Sequence, residues 1–101
     1  MTDADDLWGS VLTSFEVNLI ARTVTLRAHV VDQAASRDLT LLMDGVRHLH
    51  VRREDAESWN YIEITEAHIR QSGGETHVEL TLWTEPESID ILCESATVSC
   101  T

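Results

Sequence analysis

The segment SFEVNLIARTVTLRAHV, residues 14–30, has the clearest secondary-structure signal in the chain, because apolar and polar residues alternate on both sides of a short break. In residues 14–19 the apolar side chains fall at odd positions, and in residues 24–30 they fall at even positions. A period of two is typical of β-strands with one buried face. Only residues 20–23 separate the two strands, too few for a crossover, so an antiparallel hairpin is predicted.

The alternation continues towards the C-terminus, where further short strands are predicted over residues 39–43, 46–53, 78–82, 89–93 and 96–100, the last two as one or two strands. Asp44–Gly45 is typical of a tight hairpin turn, although a bulge within one long bent strand also fits. Residues 71–75, QSGGE, predict a second turn.

Residues 59–69, WNYIEITEAHI, fit two periods. A helical face would contain Trp59, Ile62, Glu66 and Ile69. Strand is favoured through about Ile69, because the segment is rich in aromatic and β-branched residues. A bulge near Glu66 would change the side of the strand on which His68 lies.

About seven short strands separated by turns predict an all-β fold, an antiparallel β-sandwich or small barrel. At most a short helical turn is expected, near residues 53–58. The chain has one proline, four glycines and no internal repeat, so residues 1–101 are predicted to form a single domain.

The 101 residues include 18 acidic and 7 basic side chains, which gives a formal net charge of −11. Residues 54–101 have a net charge of −10 and residues 1–53 of only −1. This excess disfavours nucleic-acid binding by a basic patch and binding to anionic membranes, and it suits either solubility or a basic protein partner. The acidic N-terminus is unlike a secretory signal, so a cytoplasmic location is expected.

Large aromatic residues are predicted on the face opposite the aliphatic core. On the strand interpretation, Trp59, Tyr61 and Trp83 point away from the aliphatic side chains of their own strands. Either Trp8 folds back to cover them, or they form an interface with a partner or a second copy. The predicted interface consists of Trp59, Tyr61, Glu63, Trp83 and Glu85.

His48 and His50 share one side of a predicted strand and could begin a metal site completed by His29 or His77. Neighbouring arginines oppose a divalent cation, so a polar outer strand face is favoured. Glu63, Glu66 and His68 are likewise expected to be outward-facing charges rather than an acid–base pair. No metal ligand and no cofactor is predicted.

Six residues separate Cys93 from Cys100, which fits neither a CxxC redox pair nor a zinc knuckle. Reduced, partly buried cysteines are expected, while pairing across a final hairpin stays open. The sequence contains no nucleotide-binding glycine loop and no nucleophile elbow, so the protein is not expected to be an enzyme.

A resemblance covers nearly the whole chain. Leu7–Trp8, Asp44–Gly45–Val46, the motif Trp59-x-Tyr61-x-Glu63-x-Thr65-Glu66 and Leu82–Trp83 resemble a group of small, acidic, single-domain bacterial proteins that are loosely similar to immunity proteins. The resemblance implies an all-β interaction protein and assigns no catalytic residue.

The sequence therefore predicts a non-enzymatic protein–protein interaction module, an immunity-type inhibitor or regulatory adaptor that binds a basic protein partner. A homodimeric structural or developmental accessory protein, with the aromatic face as its own interface, is one alternative. A small metal-binding protein that uses His48 and His50 is the other.

Overall fold

A computed structural model describes residues 7–31, 36–52, 63–82 and 87–100. These residues form eight strands: β1 (Ser10–Asn18), β2 (Thr23–Val31), β3 (Ser36–Asp44), β4 (His48–Arg52), β5 (Glu63–Ser72), β6 (Glu75–Leu82), β7 (Ser88–Cys93) and β8 (Ser95–Cys100). All neighbouring strands are antiparallel, in one open sheet of order β4-β7-β6-β5-β1-β2-β3-β8. The predicted all-β antiparallel fold is confirmed, with eight strands rather than about seven. The helical turn predicted near residues 53–58 lies outside the described residues.

The sheet has two halves that meet at the β1–β5 junction, where, among the described residues, Ser10 pairs with Ile64 and Val11 with Glu63. We call strands β4, β7, β6 and β5 the histidine half, and strands β1, β2, β3 and β8 the hydroxyl half, after the side chains on their outer faces. Alternate residues of the strands in both halves are buried in one continuous core, which includes Leu26 and Leu41 from one half and Leu80 from the other. Each half therefore has an inner, buried face and an outer face. Within the described ranges, no helix is long and apolar enough to cross a membrane.

The predicted hairpin of residues 14–30 is confirmed as the β1–β2 pair. Its turn begins at Asn18, whose Oδ1 accepts hydrogen bonds from the backbone N–H groups of Ile20 at 3.1 Å and Ala21 at 3.0 Å. Such Asx turns compete well with continued strand. The turn is therefore fixed by a local side chain as well as by the two strands.

The second predicted turn joins β5 and β6 through Gly73 and Gly74, whose φ angles of 59° and 82° only glycine adopts readily. A register shift between Ile64 and Glu66 interrupts β5. Because of this bulge, Ile64 and Ala67 are both buried. His68 therefore lies on the outer face, so the strand interpretation is confirmed for residues 63–69, and residues 59–62 lie outside the described part.

Of the two interpretations of Asp44–Gly45, the tight hairpin is wrong, and the bulge within one long bent strand fits the structure. Asp44 pairs with Ser95 and His48 with Leu92, so residues 36–52 run along residues 88–100 with a one-residue shift in register. β3 pairs with β2 and β8, whereas β4 pairs with β7 in the opposite half. Gly45, with a φ angle of 64°, turns the chain from one half to the other. Glu94, which connects β7 to β8, lies beside this turn, and its N–H donates to the Asp44 carbonyl at 2.9 Å.

A final hairpin that would pair Cys93 with Cys100 is also absent from the described strands. β7 lies between β4 and β6, and β8 pairs with β3, so the two strands are not neighbours. Cys93 is buried and Cys100 is exposed, and both are free thiols.

Candidate functional site

The predicted aromatic and acidic interface lies mostly outside the described residues. Glu63 is described: it begins β5, is half-buried and pairs with Val11 of β1. Trp59, Tyr61, Trp83 and Glu85 fall in segments that are not described. The interface therefore stays a prediction.

Trp8, considered as a cover for that face, packs against β5. Its indole Nε1–H donates to the Ala67 carbonyl at 2.8 Å, and its ring meets the His68 ring edge-on at 5.7 Å between centroids. The adjacent Leu7 is fully buried in the core, while Trp8 remains 44% exposed. The N-terminal segment thus contacts β5, as the covering interpretation requires, but the aromatic residues to be covered lie outside the described ranges.

The negative charge is distributed unevenly between described and undescribed residues. Ten acidic and six basic side chains are described, a net charge of −4, whereas the remaining eight acidic residues and one arginine contribute −7. Several described carboxylates have arginine neighbours across strands, such as Glu75 at 2.8 Å from Arg47 and Glu79 at 3.4 Å from Arg70. Most of the excess acidity therefore belongs to residues 1–6, 32–35, 53–62 and 83–86.

Four of the five histidines lie on the outer face of the histidine half. Strand register aligns them with carboxylates in one row across four strands, in the order His50, Asp90, Glu79 and His68. The adjacent row has the order His48, Leu92, His77 and Arg70. We call the set His48, His50, His68, His77, Glu79 and Asp90 the histidine–carboxylate face.

The shortest contacts on this face surround His77. Its Nδ1 lies 3.2 Å from Glu79 Oε1, and its Nε2 lies 3.5 Å from Asp90 Oδ1. One ligand atom from each of these three residues falls within 4.8 Å of the other two. An imidazole between two carboxylates can bind a cation or exchange protons with its neighbours.

The structure places the histidines of the sequence-based metal hypothesis as follows. His48 and His50 are both exposed on the outer face of β4, the polar strand face that the sequence favoured. His77 lies on the same outer face, two strands away. His29 lies in the hydroxyl half, where its Nδ1 is 2.8 Å from Asp38 Oδ1, so it cannot complete a site with the others.

A second exposed feature is the tip of the β1–β2 hairpin, where Leu19 is 84% exposed and Ile20 is 98% exposed. We call these two residues the aliphatic tip. A groove beside it is lined in part by the apolar side chains of Val17, Val46 and Leu49. Sequence reasoning placed Ile20 in the turn and gave it no role, although two large aliphatics in a turn, where polar residues are usual, were a visible signal.

Cys93 has a buried thiol of low reactivity. Burial and, secondarily, the negative charge of Asp44 raise its pKa, and these effects outweigh a backbone hydrogen bond from Ser95 that lowers it. Its Sγ–H donates to the Thr76 carbonyl at 3.6 Å. The neutral thiol is inert as a nucleophile, which fits a core position.

No protein-family profile matches the chain, and no curated protein matches it. The resemblance to small acidic, immunity-like bacterial proteins therefore stays a prediction.

Proposed function

We propose that the protein is a non-enzymatic interaction module that binds a basic protein partner, in the role of an immunity-type inhibitor or a regulatory adaptor. The observation that carries this proposal is the aliphatic tip. Burying a large aliphatic side chain is worth roughly 1.5–3 kcal/mol, and the fold leaves this gain unused at Leu19 and Ile20. A binding partner that covers the tip would recover it.

The tip is held in place before any partner arrives. The Asn18 side chain accepts the N–H groups of Ile20 and Ala21, and the Arg22 carbonyl accepts the Val46 N–H at 2.8 Å. A contact residue that is already ordered loses less conformational entropy on binding. The two aliphatic side chains are therefore suited to act as anchors.

The neighbouring groove supplies a receiving surface. Its lining combines the apolar residues Val17, Val46 and Leu49 with Arg22 and Arg47, and it opens beside Leu19. A partner side chain of moderate size can enter this groove while the tip enters the partner. Exchange of anchors and pockets in both directions is typical of protein interfaces.

Charge complementarity favours a cationic partner. The chain has a net charge of −11, and Glu16, which shares the surface beside the tip, has a largely exposed side chain. Long-range attraction of this kind raises the association rate and weakens as salt is added. The apolar tip would then determine how slowly the complex dissociates.

The test begins with capture of partners from the source cells on the tagged full chain, at about 50 mM salt, where screening is weak, and at about 500 mM salt, where it is strong. The identified partner is then purified and its affinity measured by calorimetry. Replacing Leu19 and Ile20 by Ser should weaken binding by roughly 100-fold, since each anchor is worth about 10-fold or more.

The matched control replaces Leu42 and Val51 by Ser, because both are exposed aliphatics on other strands. This variant should bind within about threefold of the wild type, since isolated exposed aliphatics contribute little. Failure to find any salt-sensitive partner, or equal binding by the tip variant, contradicts the proposal.

A homodimer is a second candidate function, favoured by the edge strand β8. Its sequence, SATVSC, contains no charged residue and no proline, and only β3 pairs with it among the described strands. The opposite edge, β4, carries His48, His50 and Arg52. Edge strands without charge are templates for pairing, and two copies of β8 can pair antiparallel about a twofold axis.

Light scattering on the purified protein tests the dimer. The wild type should be a dimer, and Thr97→Lys on the edge should make it monomeric, because edge lysines prevent strand pairing. Thr25→Lys is the matched control: it lies on the same outer face but on the interior strand β2, so it should leave the dimer intact. A monomeric wild type removes this candidate.

A further inference from the structure

The histidine–carboxylate face combines the two ligand types that transition metals accept. His77 and Glu79 are two residues apart on β6, so both point outward, and Asp90 is paired with Glu79 from β7. The three side chains are 33–38% exposed, so a dissolved ion can reach them. Their backbones are fixed by neighbouring strands on both sides.

We propose that His77, Glu79 and Asp90 form a binding site for a divalent transition-metal ion such as Zn²⁺. One ligand atom from each residue lies within 4.8 Å of the others. A tetrahedral ion with bonds of about 2.0–2.2 Å needs ligand atoms roughly 3.3–3.6 Å apart. Side-chain rotations that move the ends by about 1 Å bring the three atoms to that spacing.

A fourth ligand is available from β4. His50 is paired directly with Asp90, on the same outer face as His77. Side chains of directly paired residues start from Cβ atoms about 4.5–5.5 Å apart. The complete set of two imidazoles and two carboxylates would satisfy a tetrahedral ion, with the carboxylate charges offsetting that of the ion.

The donor set also determines the class of ion. Mg²⁺ and Ca²⁺ prefer sites made of oxygen ligands, whereas imidazole favours zinc, nickel, cobalt and copper. Two carboxylates make the site harder than one built from thiolates, and Cys93 is buried on the inner side of β7. The site is therefore expected to select a transition metal over Mg²⁺ and Ca²⁺.

Nearby charged groups compete with the metal. Arg70 Nη1 lies 3.4 Å from Glu79 Oε1, and His68, paired with Glu79 from β5, has its Nε2 3.6 Å from Glu66 Oε2. Binding requires the arginine to release Glu79, which its exposed side chain permits. Removing this cation should tighten binding, a consequence specific to a site that contains Glu79.

The experiment is calorimetric titration of the untagged, chelator-treated protein with ZnCl₂, and separately with MgCl₂. One Zn²⁺ per chain is expected, and no Mg²⁺. His77→Ala should weaken Zn²⁺ binding by at least 30-fold and Asp90→Asn by about 10-fold, whereas Arg70→Gln should tighten it several-fold. Circular dichroism shows whether each variant keeps its strands.

His29→Ala is the matched control, because His29 also has a carboxylate neighbour but lies in the hydroxyl half. Its affinity for Zn²⁺ should stay within twofold of the wild type. Absence of saturable Zn²⁺ binding overturns the proposal. So does equal weakening by His29→Ala, or loss on His48→Ala with none on His77→Ala. The aliphatic tip belongs to the other half of the sheet, so this result is independent of the interaction proposal.

Discussion

The two outer faces of the sheet share one architecture and differ in chemistry. The outer face of the histidine half displays four imidazoles among carboxylates. The outer face of the hydroxyl half displays one imidazole, His29, beside Asp38, and a larger set of small hydroxyl side chains: Thr23, Thr25, Thr40, Ser95, Thr97 and Ser99. The inner faces of both halves contribute similar aliphatic residues to the same core. The fold therefore constrains alternate residues of each strand and leaves the others free to carry function.

The largest expected effect tests whether the two halves are one folding unit. Leu41 of the hydroxyl half and Leu80 of the histidine half are both almost completely buried. Replacing either by Ala should lower the free energy of unfolding by about 2–5 kcal/mol, because each leaves a cavity in the shared core. Urea unfolding followed by circular dichroism measures the loss.

Hydrogen exchange on the same variants separates the halves. Each substitution should lower the protection of β2 and β6 amides together, because both strands bury residues in the same cluster. Loss of protection in β6 alone after Leu80→Ala would mean that the β1–β5 junction separates two independent units.

The next largest expected effect is the loss of stability on replacing Gly45, where the chain turns from one half of the sheet to the other. Its positive φ angle disfavours any residue with a Cβ, and a Cβ placed there would lie 2.5 Å from Glu94 Oε2. Gly45→Ala should destabilise the protein by about 1–2 kcal/mol. Gly9 also has a positive φ angle, but no atom lies within 4 Å of an added Cβ, so Gly9→Ala measures the backbone cost alone.

Thermal unfolding of both variants and of Gly45→Ala/Glu94→Ala isolates the contact. The added Glu94→Ala change should return the cost of Gly45→Ala to that of Gly9→Ala, since the crowding atoms belong to the Glu94 side chain. An unchanged cost would show that Glu94 already moves aside freely.

Short-range sequence patterns predicted many of the residues that face the core. Alternation predicted the strands around Leu26, Leu41 and Leu80, and all three are buried. The Gly73–Gly74 pair lies in a predicted turn, because turn chemistry acts over a few residues. Asn18, which the alternation places within the first strand, is the last residue of that strand and caps the turn. A bulge near Glu66, which the sequence allows, is present in β5.

Pairing between distant strands could not be predicted in the same way. Asp44–Gly45 has the composition of a hairpin turn, yet β4 pairs with β7, some forty residues later in the chain. A turn signal specifies a change of direction but not the strand that follows alongside. The His77–Glu79–Asp90 cluster was missed for the same reason, since it depends on the β6–β7 register.

A smaller effect distinguishes the two thiols, one in each half. Burial raises the pKa of Cys93, so the folded state holds its proton at a pH where the unfolded chain has released it. The resulting stability is complete below the ordinary thiol pKa of about 8.5 and is lost as pH rises above it. Urea unfolding between pH 8 and about pH 10 should show this decline in the wild type and in Cys100→Ser, but a shallower one in Cys93→Ala.

The smallest expected effect compares one ion pair from each half. Arg47 Nη1 lies 2.8 Å from Glu75 Oε1 in the histidine half, and Arg27 Nη1 lies 3.7 Å from Glu16 Oε1 in the hydroxyl half. All four side chains are about half exposed or more, so solvent screens both pairs. Double-mutant cycles should give about 0.5 kcal/mol for the short pair and near zero for the long one. Raising the salt concentration should abolish the difference between the two coupling free energies. Equal coupling in the two pairs at low salt would contradict the prediction, because it would show that the N–O distance does not determine the strength of these ion pairs.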